Sequence, residues 1–256
     1  MAPELSSVTA ILEMAGCVAA REEAVELIRA AGGDEALLDS LLARRTHGEP
    51  IAWIVGSATF CDVELQISPG VYVPRWQTEP LARRAASMLS DSGIAVDLCT
   101  GSGAIAAVMG RAVPTARVLA TDIDAAAVRD ALANGVEALV GFLDEPLPPA
   151  LESRVDVMTA VVPYVPTNSL RLLPRDVQEF EPRVALDGGP DGTDMLVQVV
   201  TRAPRWLRPS GWLLLELGGD QAEKIGAVLR SNGFSEAEVM TDVDGDLRGV
   251  VARMSG

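Results

Sequence analysis

The chain has 256 residues, 48% hydrophobic and 22% charged, enough for one catalytic-sized domain with a large core and a small appendage. Its 21 Lys and Arg stand against 36 Asp and Glu, a net charge of −15 that repels phosphate backbones and anionic lipid surfaces and so argues against nucleic-acid or membrane partners. Cys17, Cys61 and Cys99, with no Cys-x-x-Cys spacing, and a single histidine, His47, exclude a disulfide framework, a zinc knuckle and a multi-histidine metal site, so no metal is expected.

No serine sits in a Gly-x-Ser-x-Gly elbow to partner His47, which therefore reads as a surface or interdomain residue between Arg44, Arg45 and Gly48. The amino terminus carries Glu4 and Glu13 without a basic region, and no apolar run approaches roughly 18 residues. A cytoplasmic protein without signal peptide or membrane span is expected.

Residues 6 to about 45 are predicted helical: Val8, Ile11 and Leu12, then Val25, Leu27 and Ile28, then Leu37, Leu38, Leu41 and Leu42 recur at three-to-four spacing around Gly32-Gly33. Between Ala58 and Ser68 the period becomes two, Val63, Leu65 and Ile67 alternating with Asp62, Glu64 and Gln66, which predicts a half-buried strand forming half of a hairpin. Pro69-Gly70 ends it. A helix is predicted from Thr78, whose hydroxyl can cap it, with Pro80 in the first turn and Leu81, Ala85, Met88 and Leu89 on one face.

After Gly93 strands and helices alternate. Strand Ile94–Thr100 runs into a glycine turn and helix, strand Arg117–Asp122 precedes a helix opening at Asp124, and strand Val155–Val162 follows. A helix around Asp194–Trp206 and strand Trp212–Leu217 continue the rhythm, which predicts an α/β fold with a parallel, doubly wound sheet covered on both faces. Ala237–Thr241 and Val250–Met254 flank Asp242-Val-Asp-Gly-Asp246 and predict a closing antiparallel hairpin. The glycine of that acidic loop is misplaced for a calcium loop and Arg253 occupies the place of its last glutamate, so it reads as a turn. Trp206 and Trp212 read as packing residues.

The strongest chemical signal is Asp97-Leu-Cys99-Thr100-Gly101-Ser102-Gly103-Ala-Ile105, leading from an apolar strand into a helix. Glycines let the backbone turn sharply and approach a ligand, and the free N–H groups of a helix start favour a polar one. Asp122, 19 residues beyond Gly103 at the next strand's tip, is placed to accept both hydroxyls of a ribose. Together they imply an adenosine-containing ligand. Gly101-x-Gly103-x-x-Ala106 can be fitted to a dinucleotide fingerprint, but Asp97 would repel a pyrophosphate. The same carboxylate suits S-adenosylmethionine, which carries an ammonium and a sulfonium.

These residues resemble the cofactor loop of the release-factor glutamine methyltransferases, the HemK/PrmC family, and the similarity extends along the chain. Arg45-Thr-His-Gly48-Glu49-Pro50-Ile-Ala-Trp53-Ile-Val-Gly56, followed by Phe60, is similar to the family's interdomain signature, and Val73-Pro74-Arg75-Trp-Gln-Thr78-Glu79 to its Ile-Pro-Arg-x-x-Thr-Glu element. Glu181-Pro182, Ala185-Leu186-Asp-Gly188-Gly189-Pro-Asp191-Gly192, Leu215-Glu216-Leu217-Gly218 with Gln221, and Gly245-Asp246-Leu-Arg248 follow in the family's order.

The resemblance implies a class I S-adenosylmethionine-dependent methyltransferase, its Rossmann-like, mostly parallel sheet closed by an antiparallel hairpin. It implies a helical domain over residues 1–55, a hairpin linker over 56–77 and the methyltransferase domain over 78–256. It places Asp97, Cys99, Thr100, Gly101, Ser102 and Gly103 around the methionine end, Asp122 on the ribose, and Phe142 and Leu143 near adenine, with Ile123 also at the cofactor. Phe60, Arg75, Thr78 and Val161 border the cofactor, and Val161, Pro163 and Tyr164 line the acceptor.

The chain departs from the family where members carry Asn-Pro-Pro-Tyr, for it has Val161-Val162-Pro163-Tyr164. In the family the asparagine carbonyl and a backbone carbonyl accept the two amide hydrogens of the substrate glutamine, and valine cannot. Gly141-Phe142-Leu143-Asp144 lacks the usual acid after the glycine, leaving Phe142 to cover adenine and Asp144 as a substitute, and Cys99 replaces a glycine. Glu181 is placed to hold the acceptor or to bond Tyr164, or is an ordinary solvated acid, and Arg75 and Glu79 are placed to shape a lid. The expected partner is a methyl acceptor, either a protein glutamine such as that of a Gly-Gly-Gln-bearing release factor or a small molecule. Loss of the asparagine also leaves open a small-molecule N- or O-methyltransferase and a non-catalytic S-adenosylmethionine-binding protein.

Overall fold

A computed structural model describes residues 5–256. Helices α1 (Leu5–Met14), α2 (Ala20–Ala31), α3 (Glu35–Thr46) and α4 (Ile51–Val55) enclose a core of their own around Leu12, Ala24, Leu27 and Leu38. Three-to-four spacing overestimates that core, since Val8 and Leu12 are buried while Ile11, Val25 and Leu37 face outward. Helix α2 stops at Gly32, whose φ of +58° is open to glycine without a Cβ penalty, and Asp34 caps α3 by accepting from Leu37 N.

The stretch expected to supply one strand holds both strands of a hairpin. β1 (Ser57–Phe60) and β2 (Val63–Gln66) pair antiparallel with Phe60 opposite Val63, so Ala58, Phe60, Val63 and Leu65 share a face. The three-residue step from Phe60 to Val63 is the turn, where Cys61 and Asp62 both take positive φ, +49° and +62°. Asp62→Gly is therefore expected to stabilise the protein by up to about 1 kcal/mol, because the exposed side chain contributes little and glycine adopts this φ without strain. An unchanged or lower urea midpoint would count against that account.

A 3₁₀ turn at Trp76–Thr78 precedes helix α5 (Glu79–Met88), and Thr78 does not cap it. Its hydroxyl is spent on Glu216 instead, 2.5 Å away. The main sheet has the order β5-β4-β3-β6-β7-β9-β8. Its strands are β3 (Ile94–Leu98), β4 (Arg117–Asp122), β5 (Glu137–Val140), β6 (Val155–Ala160), β7 (Leu207–Glu216), β8 (Phe234–Thr241) and β9 (Leu247–Met254). The first five are mutually parallel, and β9 joins β7 and β8 antiparallel, as the closing hairpin requires.

Alternation along the strands divides the core between two layers of helices. Val157, Leu214 and Val251 face α5 and α6 (Ala104–Ala112), whereas Met158, Leu213 and Leu215 face α9 (Asp194–Arg202) and α10 (Gln221–Ser231), which follow the short α8 (Arg175–Phe180). Helix α7 (Ala125–Ala133), capped by Asp124, packs Val128 and Ala131 against Ala120 and Ala138. The chain leaves β3 toward β4 and β5 and returns to β6 on the opposite side. The β3/β6 junction is thus the point where strand order reverses, and a ligand crevice belongs at the carboxyl ends there.

Candidate functional site

A cleft of ≈ 1390 Å³ opens at those strand ends, and its walls come from the sheet, from residues 173–177 and 182–187 and from the helical segment at Ala15–Ala19 and Arg45–Gly48. At its floor stands Asp97, the penultimate residue of β3, which is 1% exposed. The Thr159 and Thr100 hydroxyls donate to its two oxygens at 2.6 Å each. Burial lifts its pKa to about 6 against the opposing effect of those two bonds. The turn continues through Cys99 at φ +54° and Gly101 at φ +56°, where an added Cβ would meet nothing. Gly103, φ +83°, does not line the cleft; a Cβ there would meet Ala131 at 3.0 Å, so this glycine lets α6 approach α7.

Ser102 lines the cleft, is 1% exposed, and its hydroxyl has no hydrogen-bond partner among the described residues, which leaves its bonding capacity for a ligand's polar group. Asp122 Oδ2 accepts from Gly101 N at 2.8 Å and Oδ1 from Asp124 N at 2.9 Å, so β4's terminal carboxylate holds the glycine turn in place. Burial raises its pKa above the usual carboxylate value. Ile123, Phe142 and Leu143 continue the wall, Phe142 lying beneath the Arg202 guanidinium at 5.4 Å. Asp144, offered as a substitute acid, is turned away from the cleft: its oxygens accept from Arg202 Nη1 and Trp206 Nε1 at 2.8 Å each, so it serves packing around the buried Trp206.

The opposite wall begins with Val161, Val162, Pro163 and Tyr164 after β6. The Tyr164 hydroxyl donates to Glu216 Oε1 at 2.8 Å while Thr78 donates to Oε2, so the buried carboxylate ending β7 ties the aromatic ring to the start of α5. Burial and the Glu216 charge push the Tyr164 phenol far above its ordinary pKa, keeping it neutral. Gln221 donates to Tyr164 O and Gly192 O at 2.8 and 3.0 Å, and Gly188 and Gly192 lie so close to Pro163 and Tyr164 that neither has room for a Cβ.

Glu181 is neither solvated nor bonded to Tyr164; its Oε1 pairs with Arg75, whose guanidinium stands 5.0 Å over the Tyr72 ring. Burial lifts Tyr72 to about 12. Glu79 accepts from Cys61 N and so fastens the hairpin turn to α5 rather than facing the cleft. His47 is exposed at the mouth with Nδ1 2.7 Å from Ala43 O, a helix-end contact. Asp242 accepts from the Asp244 and Asp246 amides and from Arg248, which is the arrangement of a turn.

The cleft thus gathers Phe60, Arg75, Thr78, Asp97, Cys99, Thr100, Gly101, Ser102, Asp122, Ile123, Phe142, Leu143, Val161, Pro163 and Tyr164. Sequence reasoning passed over Tyr72 and Thr159 and read Glu216 only as part of a motif. Glu216 had nearly the same visible signal as Asp97, an acid at the carboxyl end of a buried parallel strand. Among the described residues no cluster of His, Cys, Asp and Glu could hold a metal ion, and no helix is long and apolar enough to cross a membrane.

No family model matches the chain. Curated relatives named release factor glutamine methyltransferase do. That of Geobacter sulfurreducens is 35% identical over 220 residues, 84% of this chain and 76% of the relative. That of Moorella thermoacetica is 38% identical over 210 residues, 79% and 74%, and that of Mycolicibacterium smegmatis 34% over 224 residues, 85% and 79%. Among solved structures, a methyltransferase from Pyrococcus furiosus superimposes with a TM-score of 0.54 at 18% identity, covering 85% of this chain and all of the other. The 16S rRNA N2 G1207 methyltransferase of T. thermophilus, in complex with AdoMet and guanosine, gives 0.51 at 18% identity over 78% of this chain and 44% of the other. These two likenesses establish the fold, that of the class I methyltransferases.

Proposed function

Because the chain belongs to the release factor glutamine methyltransferase family, and is an S-adenosylmethionine-dependent methyltransferase, we propose that it transfers the methyl group to the side-chain amide of a protein glutamine. The observation that carries this reading is the extent of the cleft. One continuous space of ≈ 1390 Å³ runs from Asp122 past Val161–Tyr164 to the helical segment, more than the roughly 300–1,000 Å³ that suits a single small ligand. It accommodates a donor and an extended acceptor together.

S-adenosylmethionine supplies an electrophilic methyl on a sulfonium, and displacement is in line, so the protein's part is to align and desolvate the two partners. On this reading Asp97 and Ser102 receive the amino-acid end, their buried polar atoms fitting an ammonium and a carboxylate. Asp122 keeps lone pairs beyond its two backbone bonds for the ribose, and Phe142 and Leu143 offer apolar surface to adenine. Tyr164, neutral and pinned through Glu216 and Thr78, forms a fixed wall for the planar amide. The 3₁₀ turn before α5 lines the cleft beside Tyr72, together with Arg75, which Glu181 anchors from behind.

A second reading, a small-molecule acceptor, is favoured by one residue. Val161 gives the acceptor side an apolar group where the resemblance calls for an asparagine, and a primary amide needs more help than an amine or phenolate. Intact-mass analysis decides between the two. Incubation of a Gly-Gly-Gln-bearing release factor with the protein and S-adenosylmethionine is expected to add one methyl to that glutamine, and Asp122→Ala to abolish the gain. Cofactor binding without any gain would transfer the assignment to small-molecule acceptors.

A further inference from the structure

Of the chain's four tryptophans, three meet a partner: Trp53 packs against the Phe180 ring, and Trp206 and Trp212 lie beneath the guanidinium groups of Arg205 and Arg253. Trp76 meets no ring or guanidinium among the described residues and lines the cleft 68% exposed. An uncovered indole is a large apolar surface of the kind that anchors a partner. The turn that carries it is fixed on both flanks. Arg75 pairs with Glu181 and stands 5.0 Å over the Tyr72 ring, and Thr78 donates to Glu216 at 2.5 Å. The backbone beneath the indole is therefore set before any partner arrives, which lowers the cost of binding one.

Those ties also show which half of the cleft the indole serves. Glu181 follows Val161–Tyr164 in the chain, and Glu216 accepts from the Tyr164 hydroxyl at 2.8 Å, so both run to the acceptor side and neither to residues 97–143. Three residues beyond Glu181, Val184 lines the same cleft and is 62% exposed. The Arg75–Glu181 pair thus links two short segments that each bring an open apolar side chain to the cleft.

We propose that Trp76 and Val184 form an apolar grip for the acceptor protein, holding an apolar side chain that flanks the methylated glutamine. The inference rests on the reading of the methyl acceptor as a protein glutamine. A net charge of −15 disfavours anionic lipid or nucleic acid as the occupant, whereas an apolar side chain of a protein covers the indole without meeting that charge. The grip adds binding and takes no part in the transfer, so its signature lies in KM rather than kcat.

The test measures steady-state methylation of a Gly-Gly-Gln-bearing release factor by the wild type, Trp76→Ala, Trp76→Phe, Val184→Ser and Val239→Ser, the last an exposed valine on β8 outside the cleft. Calorimetric binding of S-adenosylhomocysteine, the melting temperature and sedimentation accompany it. Trp76→Ala is expected to raise KM for the release factor about thirtyfold, with kcat and S-adenosylhomocysteine affinity within about twofold and the melting temperature unchanged. Trp76→Phe should recover most of the loss, Val184→Ser should raise KM about fivefold, and Val239→Ser should leave it as in the wild type. A KM within about twofold of the wild type for Trp76→Ala or for Val184→Ser would overturn the proposal. So would a matching loss of S-adenosylhomocysteine affinity, which would give the indole to the donor, or a dimer that Trp76→Ala dissociates, which would make the grip a contact between copies. Absence of transfer from every form, wild type included, with cofactor still bound, would instead overturn the glutamine reading on which it rests.

Discussion

Asp97→Asn is expected to weaken binding of S-adenosylhomocysteine about a hundredfold while stabilising the ligand-free protein at neutral pH. The carboxylate is buried to 1% and lifted to about 6, so within the folded protein its charge is held at a cost. In the unfolded chain the group titrates near 3.8. Between those values the native state binds a proton that the unfolded state has released, so this group's contribution to stability falls as pH rises from about 3.8 to about 6. Above pH 6 it amounts to a standing cost of about 3 kcal/mol.

Asparagine is neutral at every pH, and the Thr100 and Thr159 hydroxyls can turn to accept from its amide. The variant's melting temperature should therefore exceed that of the wild type at pH 7.5, and the advantage should shrink toward pH 4. Affinity behaves in the opposite sense. Wild-type binding of an ammonium-bearing ligand should tighten as pH rises through about 6, and the variant's should stay flat. Equal affinities for the two proteins at pH 7.5 would remove Asp97 from the ligand's ammonium.

Gly192→Ala is expected to lower the melting temperature by roughly 10 °C and to cost methyl transfer at least tenfold. At φ +75° an alanine is strained, and its Cβ would lie 2.1 Å from Tyr164 O and 2.6 Å from Gln221 Nε2. Strain and overpacking together cost about 3 kcal/mol. Relief requires the 188–192 turn to back away from Tyr164, which breaks the Gln221 bonds to Tyr164 O and Gly192 O and releases the acceptor wall. Cofactor affinity should hold within about threefold, since Asp97 and Asp122 lie on strands this turn does not touch. A variant with wild-type turnover would show that the turn does not position Tyr164.

The donor side of the cleft was legible because its parts are neighbours in the chain. An apolar strand, a glycine turn and a helix start lie within a few residues, and Asp122 follows one strand later. Thr78 and Asp144 were misjudged for the opposite reason. Their partners lie far along the chain, Glu216 at 138 residues from Thr78 and Trp206 at 62 from Asp144, and no local pattern competes with those contacts. Strand β5 escaped notice because its four residues bury only Ala138 and show no alternation to read. The open indole of Trp76 was invisible for a further reason: the sequence shows which residues are apolar, but only packing shows which is left uncovered.

The order of the strands also bears on how such a protein changes over time. β3 lies between β4 and β6, so on the proposed reading most donor residues, 97–143, fall on one side of it and the acceptor residues, 161–192 with the end of β7, on the other. The two halves meet along the β3–β6 ladder, and at its cleft end through the bond from Thr159 to Asp97. Substitutions can therefore accumulate on the acceptor half, as at Val161, while the donor loop remains intact, and inheritance of the chemistry is separable from inheritance of its target.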